Sequence, residues 1–113
     1  MKLYCENNNK LILNNLIVAR NFYSRFLGLM FKDRLGDGEG LLLSPCNGIH
    51  TFFMRFPIDV IFLDSNFRVI KIIPEMVPNR FSPFVKGASK VLELSAKSSD
   101  FYELKEGDKL VLG

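Results

Sequence analysis

The chain has 113 residues, of which 48% are hydrophobic and 24% charged, and it carries a formal net charge of +3. This length predicts a single domain, residues 1–113, that buries enough surface to fold without disulfides or structural metals. The 15 basic residues are scattered among 12 acidic ones and form no nucleic-acid-binding motif, so we expect a solvated surface and no nucleic-acid partner.

The cysteines and the N-terminal segment indicate a cellular compartment. Cys5 and Cys46 belong to no CxxC pair or larger cysteine framework, which favours reduced thiols in the cytosol. The first residues, MKLYCENNNKLILNN, lack the apolar core of a signal peptide. No apolar run approaches the roughly 18 residues of a membrane span. We therefore predict a cytoplasmic protein with no membrane span.

The first third of the chain alternates between short strands and one helix. Two strands, 2–5 and 10–13, are predicted around an Asn-rich turn, and a third follows at 16–19. Phe22, Phe26, Leu27 and Met30 recur at helical spacing, and Asn21 can cap the start of that helix. A glycine-rich loop from residue 36 to 40 then ends this part of the chain.

From Gly40 onward the hydrophobic period is that of a sheet. Aromatic and β-branched residues predict four strands, at 41–44, 49–55, 58–64 and 67–74. Another strand is predicted at 91–94, followed by a short helix at 96–104 and a last strand near Leu110. Short connections favour antiparallel neighbours. The sequence thus predicts an α+β domain whose mostly antiparallel sheet is curved or barrel-like, with one or two short helices.

Four segments carry a family resemblance: FLGLMF from Phe26, GEGLLLSPCNGIHTFFMRFPIDVIFLD from Gly38, VLEL from Val91 and EGDKL from Glu106. Together they resemble domain-of-unknown-function family 192, over about residues 18–110. The resemblance implies a compact α+β fold and no established biochemical activity. Many relatives resemble secreted proteins with a signal peptide, which this chain lacks. The family pattern falls on Gly28, Leu29, Met30, Met54, Asp59, Glu93, Gly107 and Asp108, whereas Cys46 and His50 resemble one branch only.

The segment 44–64 is the candidate site because it places the only histidine, one cysteine and an aspartate within apolar sequence. Removing a neutral polar group from water without a partner costs about 2–7 kcal/mol. Both alternating faces of the strand 58–64 are apolar, which places Asp59 in or beside the core. Asp59 is then either a structural carboxylate, bound to backbone amides or to Arg55, or an acid or base with a raised pKa.

Cys46 and His50 lie four residues apart and allow several interpretations. A lone histidine among aromatic residues is typical of a partly buried side chain with its own partners. If the turn before it folds back, Cys46 and His50 form a catalytic dyad with Asp59 or Glu93 orienting the imidazole. Cys46, His50 and Met54 also have the spacing of a soft-metal set. On a strand, however, residues i and i+4 lie about 13 Å apart, so we predict no metal site and no cofactor.

The remaining candidates predict ligand contacts. Arg55 interrupts apolar sequence, and its guanidinium group suits a carboxylate or a phosphate. We predict a ligand site built from Arg55, Met54, Glu93 and Asp59. The leading hypothesis is a binding module for a small anionic or polyhydroxylated ligand or for a protein segment. The alternatives are an enzyme that depends on Cys46 and His50 or on a carboxylate, and an assembly protein whose aromatic residues contact a protein partner.

Overall fold

The computed structural model describes residues 1–21, 27–30 and 32–113. Within these residues it has eight strands and one short helix, which confirms an α+β domain made mostly of sheet. The strands are β1 (Leu3–Cys5), β2 (Lys10–Leu13), β3 (Asn15–Ala19), β4 (Glu39–Leu43), β5 (Ile58–Leu63), β6 (Val69–Met76), β7 (Lys90–Ser95) and β8 (Leu110–Leu112). The helix α1 (Ser98–Phe101) lies between β7 and β8.

The strands form two open sheets instead of one barrel-like sheet. A small antiparallel sheet has the order β2-β1-β8, and a larger sheet has the order β3-β4-β7-β5-β6. In the larger sheet β3 and β4 are parallel, whereas the other neighbours are antiparallel. A parallel pair needs a crossover connection. After β3 the chain therefore returns to the end of the sheet at which β3 begins, and β4 starts there. The predicted helix that begins at Phe22 falls mostly outside the described residues.

The core is arranged around β5 and β7, which lie next to each other inside the larger sheet. All six residues of β5 are buried. Ile61 and Leu92 belong to a core cluster shared with the small sheet, whereas Val60 and Val91 belong to a second cluster on the other face. Side chains alternate along a strand, so Asp59 and Glu93 lie on opposite faces of the same sheet.

The predicted strand at 49–55 is wrong. His50 forms only an isolated bridge with Phe81, and the chain turns immediately afterwards, with the Met54 N–H donating to the Thr51 carbonyl (3.2 Å). The Thr51 hydroxyl donates to the Val77 carbonyl (2.8 Å) and accepts from the Arg80 N–H (2.9 Å). Alternating aromatic residues gave this segment a strand pattern, but its polar groups pair with a neighbouring loop.

The second predicted helix is shorter than expected, since α1 covers only Ser98–Phe101 of the predicted 96–104. Over the part of the chain that the structure describes, no helix is long and apolar enough to cross a membrane.

Candidate functional site

A cavity of about 250 Å³ lies between the larger sheet and the segments 27–30 and 46–54. Four residues predicted from the sequence line it, namely Cys46, His50, Met54 and Glu93. The loop after β4 supplies Cys46 and His50, the turn at 51–54 supplies Met54, and β7 supplies Glu93. We name this space the Glu93 cavity. The larger sheet therefore provides one wall, and the loops provide the others.

Glu93 is the polar group that distinguishes this cavity. Its register places it between Leu41 of β4 and Val60 of β5, and only 2% of its surface is exposed. Among the described residues no donor reaches its Oε1. Burial raises the pKa of Glu93 to about 8, so the carboxyl group is mostly neutral at pH 7. A buried acceptor without a partner costs about 1–3 kcal/mol, which makes Glu93 an expensive residue to keep in a core.

Cys46 and His50 each make hydrogen bonds within the cavity wall. The Cys46 thiol donates to the Gly48 carbonyl at 3.1 Å. The Phe52 N–H donates to Nδ1 of His50 at 3.2 Å, and the two rings stack with centroids 5.7 Å apart. Because Nδ1 accepts, the proton of the neutral imidazole lies on Nε2. The thiol hydrogen is thus directed to the backbone, and the imidazole is oriented by a backbone amide.

The cavity wall is not arranged as a metal centre of hard or borderline ligands. Across residues 1–21, 27–30 and 32–113, no three His, Cys, Asp or Glu side chains are placed to hold one ion. A neutral histidine that binds a metal through Nε2 carries its proton on Nδ1. That proton would face the Phe52 N–H, which already donates to Nδ1. The observed hydrogen bond therefore disfavours His50 as a metal ligand through Nε2.

Asp59 lies outside the Glu93 cavity and is fully buried. Its Oδ1 accepts from the N–H groups of Glu75 (2.9 Å) and Lys97 (3.0 Å). Its Oδ2 accepts from the N–H (2.8 Å) and the hydroxyl (2.5 Å) of Ser99. Glu75 and Lys97 have φ angles of 49° and 74°, a left-handed conformation that costs non-glycine residues about 1 kcal/mol or more. These are the contacts of a structural carboxylate that joins β6 to the start of α1.

Arg55 also lies apart from the Glu93 cavity. It is exposed, and its Nη1 contacts Oδ1 of Asp33 at 2.5 Å, a pair in which both side chains are largely in solvent. Such exposed pairs contribute about 0–1 kcal/mol. The structure thus brings together four of the six predicted site residues and places Asp59 and Arg55 elsewhere.

Several residues of the cavity wall were not predicted as site residues from the chemistry of the sequence. Leu43 and Ile49 line the Glu93 cavity, as do Leu29 and Met30. Apolar side chains carry no signal that separates a cavity wall from a core, and only the family pattern pointed to Leu29 and Met30. Glu93 itself did carry a signal, because a carboxylate inside the apolar run 91–94 needs a physical reason.

Comparison with known proteins agrees with this architecture. The sequence pattern of the family described as "Uncharacterized ACR" matches residues 5–112. A UPF0127 protein from Pyrococcus horikoshii is 47% identical over 58 residues, which cover 49% of this chain and 50% of that protein. A UPF0127 protein from Thermococcus sibiricus is 32% identical over 97 residues, which cover 82% of this chain and 62% of that protein. The matches thus span about half to three fifths of the length of these relatives.

A solved structure has the same fold. The crystal structure of a protein of unknown function from Novosphingobium aromaticivorans superposes with a TM-score of 0.85 at 25% identity, covering 98% of this chain and 82% of that one. Nearly the whole length is therefore accounted for by one family pattern and one shared fold. This confirms the resemblance read from the sequence: the chain belongs to domain-of-unknown-function family 192, an uncharacterised family.

Proposed function

We propose that this protein is a binding module that holds a small ligand in the Glu93 cavity. The observation that carries the proposal is the buried Oε1 of Glu93, which finds no donor among the described residues. Natural protein cores rarely contain a buried polar atom without a hydrogen-bond partner, because the hydrogen bond to water that is lost on burial is then not replaced. A ligand that donates a hydrogen bond to Glu93 would supply the missing partner.

The size and lining of the cavity limit the ligand. A cavity of about 150 Å³ holds benzene, so a volume of about 250 Å³ has room for about ten non-hydrogen atoms. Leu43, Ile49 and the thioether of Met54 line it together with Glu93. These walls suit an apolar body, whereas the carboxyl group suits one polar head.

The head group is proposed to be a hydrogen-bond donor. Hydroxyl, amide and ammonium groups all donate hydrogen bonds. Of the two small-ligand classes expected from the sequence, anionic and polyhydroxylated, a donor head group supports the polyhydroxylated class. An anionic head brings only acceptors, so it would leave Oε1 of Glu93 without a donor. Arg55, the residue that suggested an anionic ligand, contacts Asp33 at the surface instead. The positions of Glu93 and Arg55 therefore favour a donor over an anion.

A thiol-dependent enzyme is the second candidate, because Cys46 and His50 line the same cavity. Its support is weaker than that of the binding module. The Cys46 thiol donates to a carbonyl oxygen, and His50 Nδ1 is occupied by a backbone amide. A thiolate nucleophile would need the first of these bonds to break. We place either function in the cytoplasm, because Cys5 and Cys46 belong to no CxxC pair or larger cysteine framework.

The proposal is tested with a matched series of small probes that differ only in the head group: butylamine, butyramide, 1,2-butanediol and butyrate. Ligands of this size bind in the millimolar range at best, so the readout is ligand-detected NMR together with chemical shifts of the Met54 methyl group. We expect the amine, the amide and the diol to bind more tightly than butyrate, which brings no donor to Oε1 of Glu93. Glu93→Leu, which removes the acceptor, should weaken the three binders by about tenfold.

Two further variants make the result specific. Glu106→Gln alters an exposed carboxylate and should leave all four probes unaffected. Glu93→Gln keeps an oxygen acceptor and should retain the amide and the diol while it loses the amine. Equal binding of butyrate and butylamine, or binding that persists in Glu93→Leu, would show that Glu93 does not select the ligand. Absence of binding by all three donor probes would count against a binding function at this cavity.

A further inference from the structure

Two loops beside the Glu93 cavity, residues 47–53 and 79–85, form a paired unit that we name the aromatic double loop. Four backbone hydrogen bonds join them. Thr51 N–H donates to Arg80 O (2.8 Å) and Asn79 N–H to Thr51 O (2.9 Å). Ser82 N–H donates to Ile49 O, and Val85 N–H to Asn47 O, both at 2.9 Å. The loops therefore hold their side chains in fixed positions, as strands of a sheet would.

The aromatic double loop exposes most of the accessible phenylalanine surface that the structure describes. Among the described residues four phenylalanines are exposed, and three of them belong to this unit: Phe53 (61%), Phe81 (75%) and Phe84 (84%). Phe81 packs edge-to-face on Phe52 with centroids 4.7 Å apart. A Cβ atom at Gly48 would lie 2.7 Å from the Phe84 ring, so the absence of a side chain at Gly48 leaves room for this ring. Exposed apolar side chains on ordered loops mark an interaction surface.

The two sequence stretches that carry these phenylalanines contain basic residues and no acidic ones. No acidic residue occurs from Ser44 to Ile58 or from Met76 to Leu92. Those two stretches contain Arg55, Arg80, Lys86 and Lys90, and Arg80 and Lys86 are exposed next to the phenylalanines. Exposed basic side chains next to exposed phenylalanines complement an anionic partner.

We propose that the aromatic double loop docks this protein on an anionic lipid surface. Phe81 and Phe84 insert between the lipids, while Arg80 and Lys86 contact the phosphate groups. Loops with exposed apolar tips and basic flanks combine the two forces that hold peripheral proteins on membranes, namely burial of apolar side chains and attraction to anionic headgroups. The inference is independent of the proposed ligand, although Gly48, Ile49 and His50 line both the Glu93 cavity and the groove next to Phe81 and Phe84.

Lipid is favoured over two other anionic or apolar partners. Nucleic-acid binding depends on many phosphate contacts, and this face offers few cations. A protein partner would need a pocket shaped for each phenylalanine, whereas a lipid surface accepts side chains that stand in solvent. With three quarters or more of their surface exposed, Phe81 and Phe84 can enter a bilayer without moving any other part of the chain.

The test is flotation of the full chain with vesicles of phosphatidylglycerol and phosphatidylcholine, and with vesicles of phosphatidylcholine alone. We expect binding to the mixed vesicles that weakens as salt is raised. The double variant Phe81→Ser/Phe84→Ser should reduce the partition coefficient by at least about tenfold. Arg80→Glu/Lys86→Glu should reduce it by a similar factor, at roughly fivefold or more for each reversed charge. Phe101→Ser removes an equally exposed phenylalanine (75%) from α1 and should bind like the wild type.

Two results would overturn the proposal. One is the absence of flotation with the anionic vesicles, and the other is flotation that the Phe81→Ser/Phe84→Ser variant and Phe101→Ser change equally. If flotation is absent, a concentration-dependent oligomer or a complex with an oligothymidylate probe that the double variant abolishes would assign this surface to a second copy of the chain or to nucleic acid. Each variant should unfold cooperatively and within a few degrees of the wild type, because these side chains are exposed and the lost contact of Phe81 with Phe52 is a single aromatic pair, and this shows that the fold is retained.

Discussion

Replacing Glu93 with glutamine should make the protein more stable at neutral pH and less sensitive to pH. Glutamine has the shape of the neutral carboxyl group but cannot ionise. The folded protein holds the pKa of Glu93 at about 8, compared with 4.5 for an unburied glutamate, because burial disfavours the charged form. In the unfolded chain Glu93 therefore ionises above about pH 4.5, whereas in the folded protein it stays protonated up to about pH 8.

The direction and size of the effect follow from proton linkage. Between these two pKa values the folded state binds more protons than the unfolded state, so the free energy of unfolding falls as the pH rises. The slope is about 1.4 kcal/mol per pH unit. From pH 4.5 to pH 7 the wild type thus loses about 3 kcal/mol, and above pH 8 the loss levels off near 5 kcal/mol. Glu93→Gln should match the wild type near pH 4.5 and exceed it by these amounts at higher pH.

The measurement is urea unfolding followed by circular dichroism, at intervals from pH 4.5 to pH 9. Other titrating groups act equally on both proteins, so the difference between the two curves isolates Glu93. Glu106→Gln, at an exposed position, serves as the control and should run parallel to the wild type. Parallel curves for Glu93→Gln and the wild type, or a variant that is less stable at pH 8, would refute the argument that burial raises the pKa of this carboxyl group.

Three other substitutions test the packing and the site. Asp59→Asn should lower the free energy of unfolding by about 2–4 kcal/mol, because its amide NH₂ would face the Ser99 N–H in place of an oxygen; a loss below 1 kcal/mol in urea unfolding would contradict this. Gly40→Ala should cost about 1–3 kcal/mol, since the new Cβ would lie 2.4 Å from Leu13 Cδ1, and an unchanged unfolding midpoint would show that Leu13 moves freely. Cys46→Ser should leave the affinity for 1,2-butanediol within about threefold, as measured by NMR titration, because a hydroxyl can keep the hydrogen bond to the backbone; loss of binding would favour a role for the thiol.

Much of the fold was predictable wherever an apolar run is buried on both faces. The strand predicted at 58–64 is β5 (Ile58–Leu63), and the one at 91–94 is β7 (Lys90–Ser95). In both strands apolar side chains occupy most positions on the two faces. Such a short apolar run between turns is typical of a strand that is covered on both faces. The parallel pairing of β3 with β4 was not predictable, because short connections elsewhere suggested antiparallel neighbours throughout.

Four of the six residues predicted from the sequence line the Glu93 cavity, but their grouping was not predictable. A carboxylate inside an apolar run singled out Asp59, whereas the family pattern pointed to Glu93. Which of them faces a cavity depends on the register of three strands, and no local pattern carries that information. The donors that satisfy Asp59 come from Glu75, Lys97 and Ser99, 16 to 40 positions further along the chain. The tertiary structure thus supplies partners for the Asp59 carboxylate, whereas Oε1 of Glu93 finds none among the described residues.

The small sheet has a consequence for synthesis of the protein. β1 pairs with β8 through Leu3 and Leu112, so β1 leaves the ribosome before its partner has been made. Until then one edge of the β1–β2 hairpin keeps its backbone groups unpaired, and such edges recruit other chains. Closing a loop of about a hundred residues is slow and gains nothing until the larger sheet has brought the ends together. We therefore expect the β1–β2 hairpin to need chaperone protection while β8 is still being made.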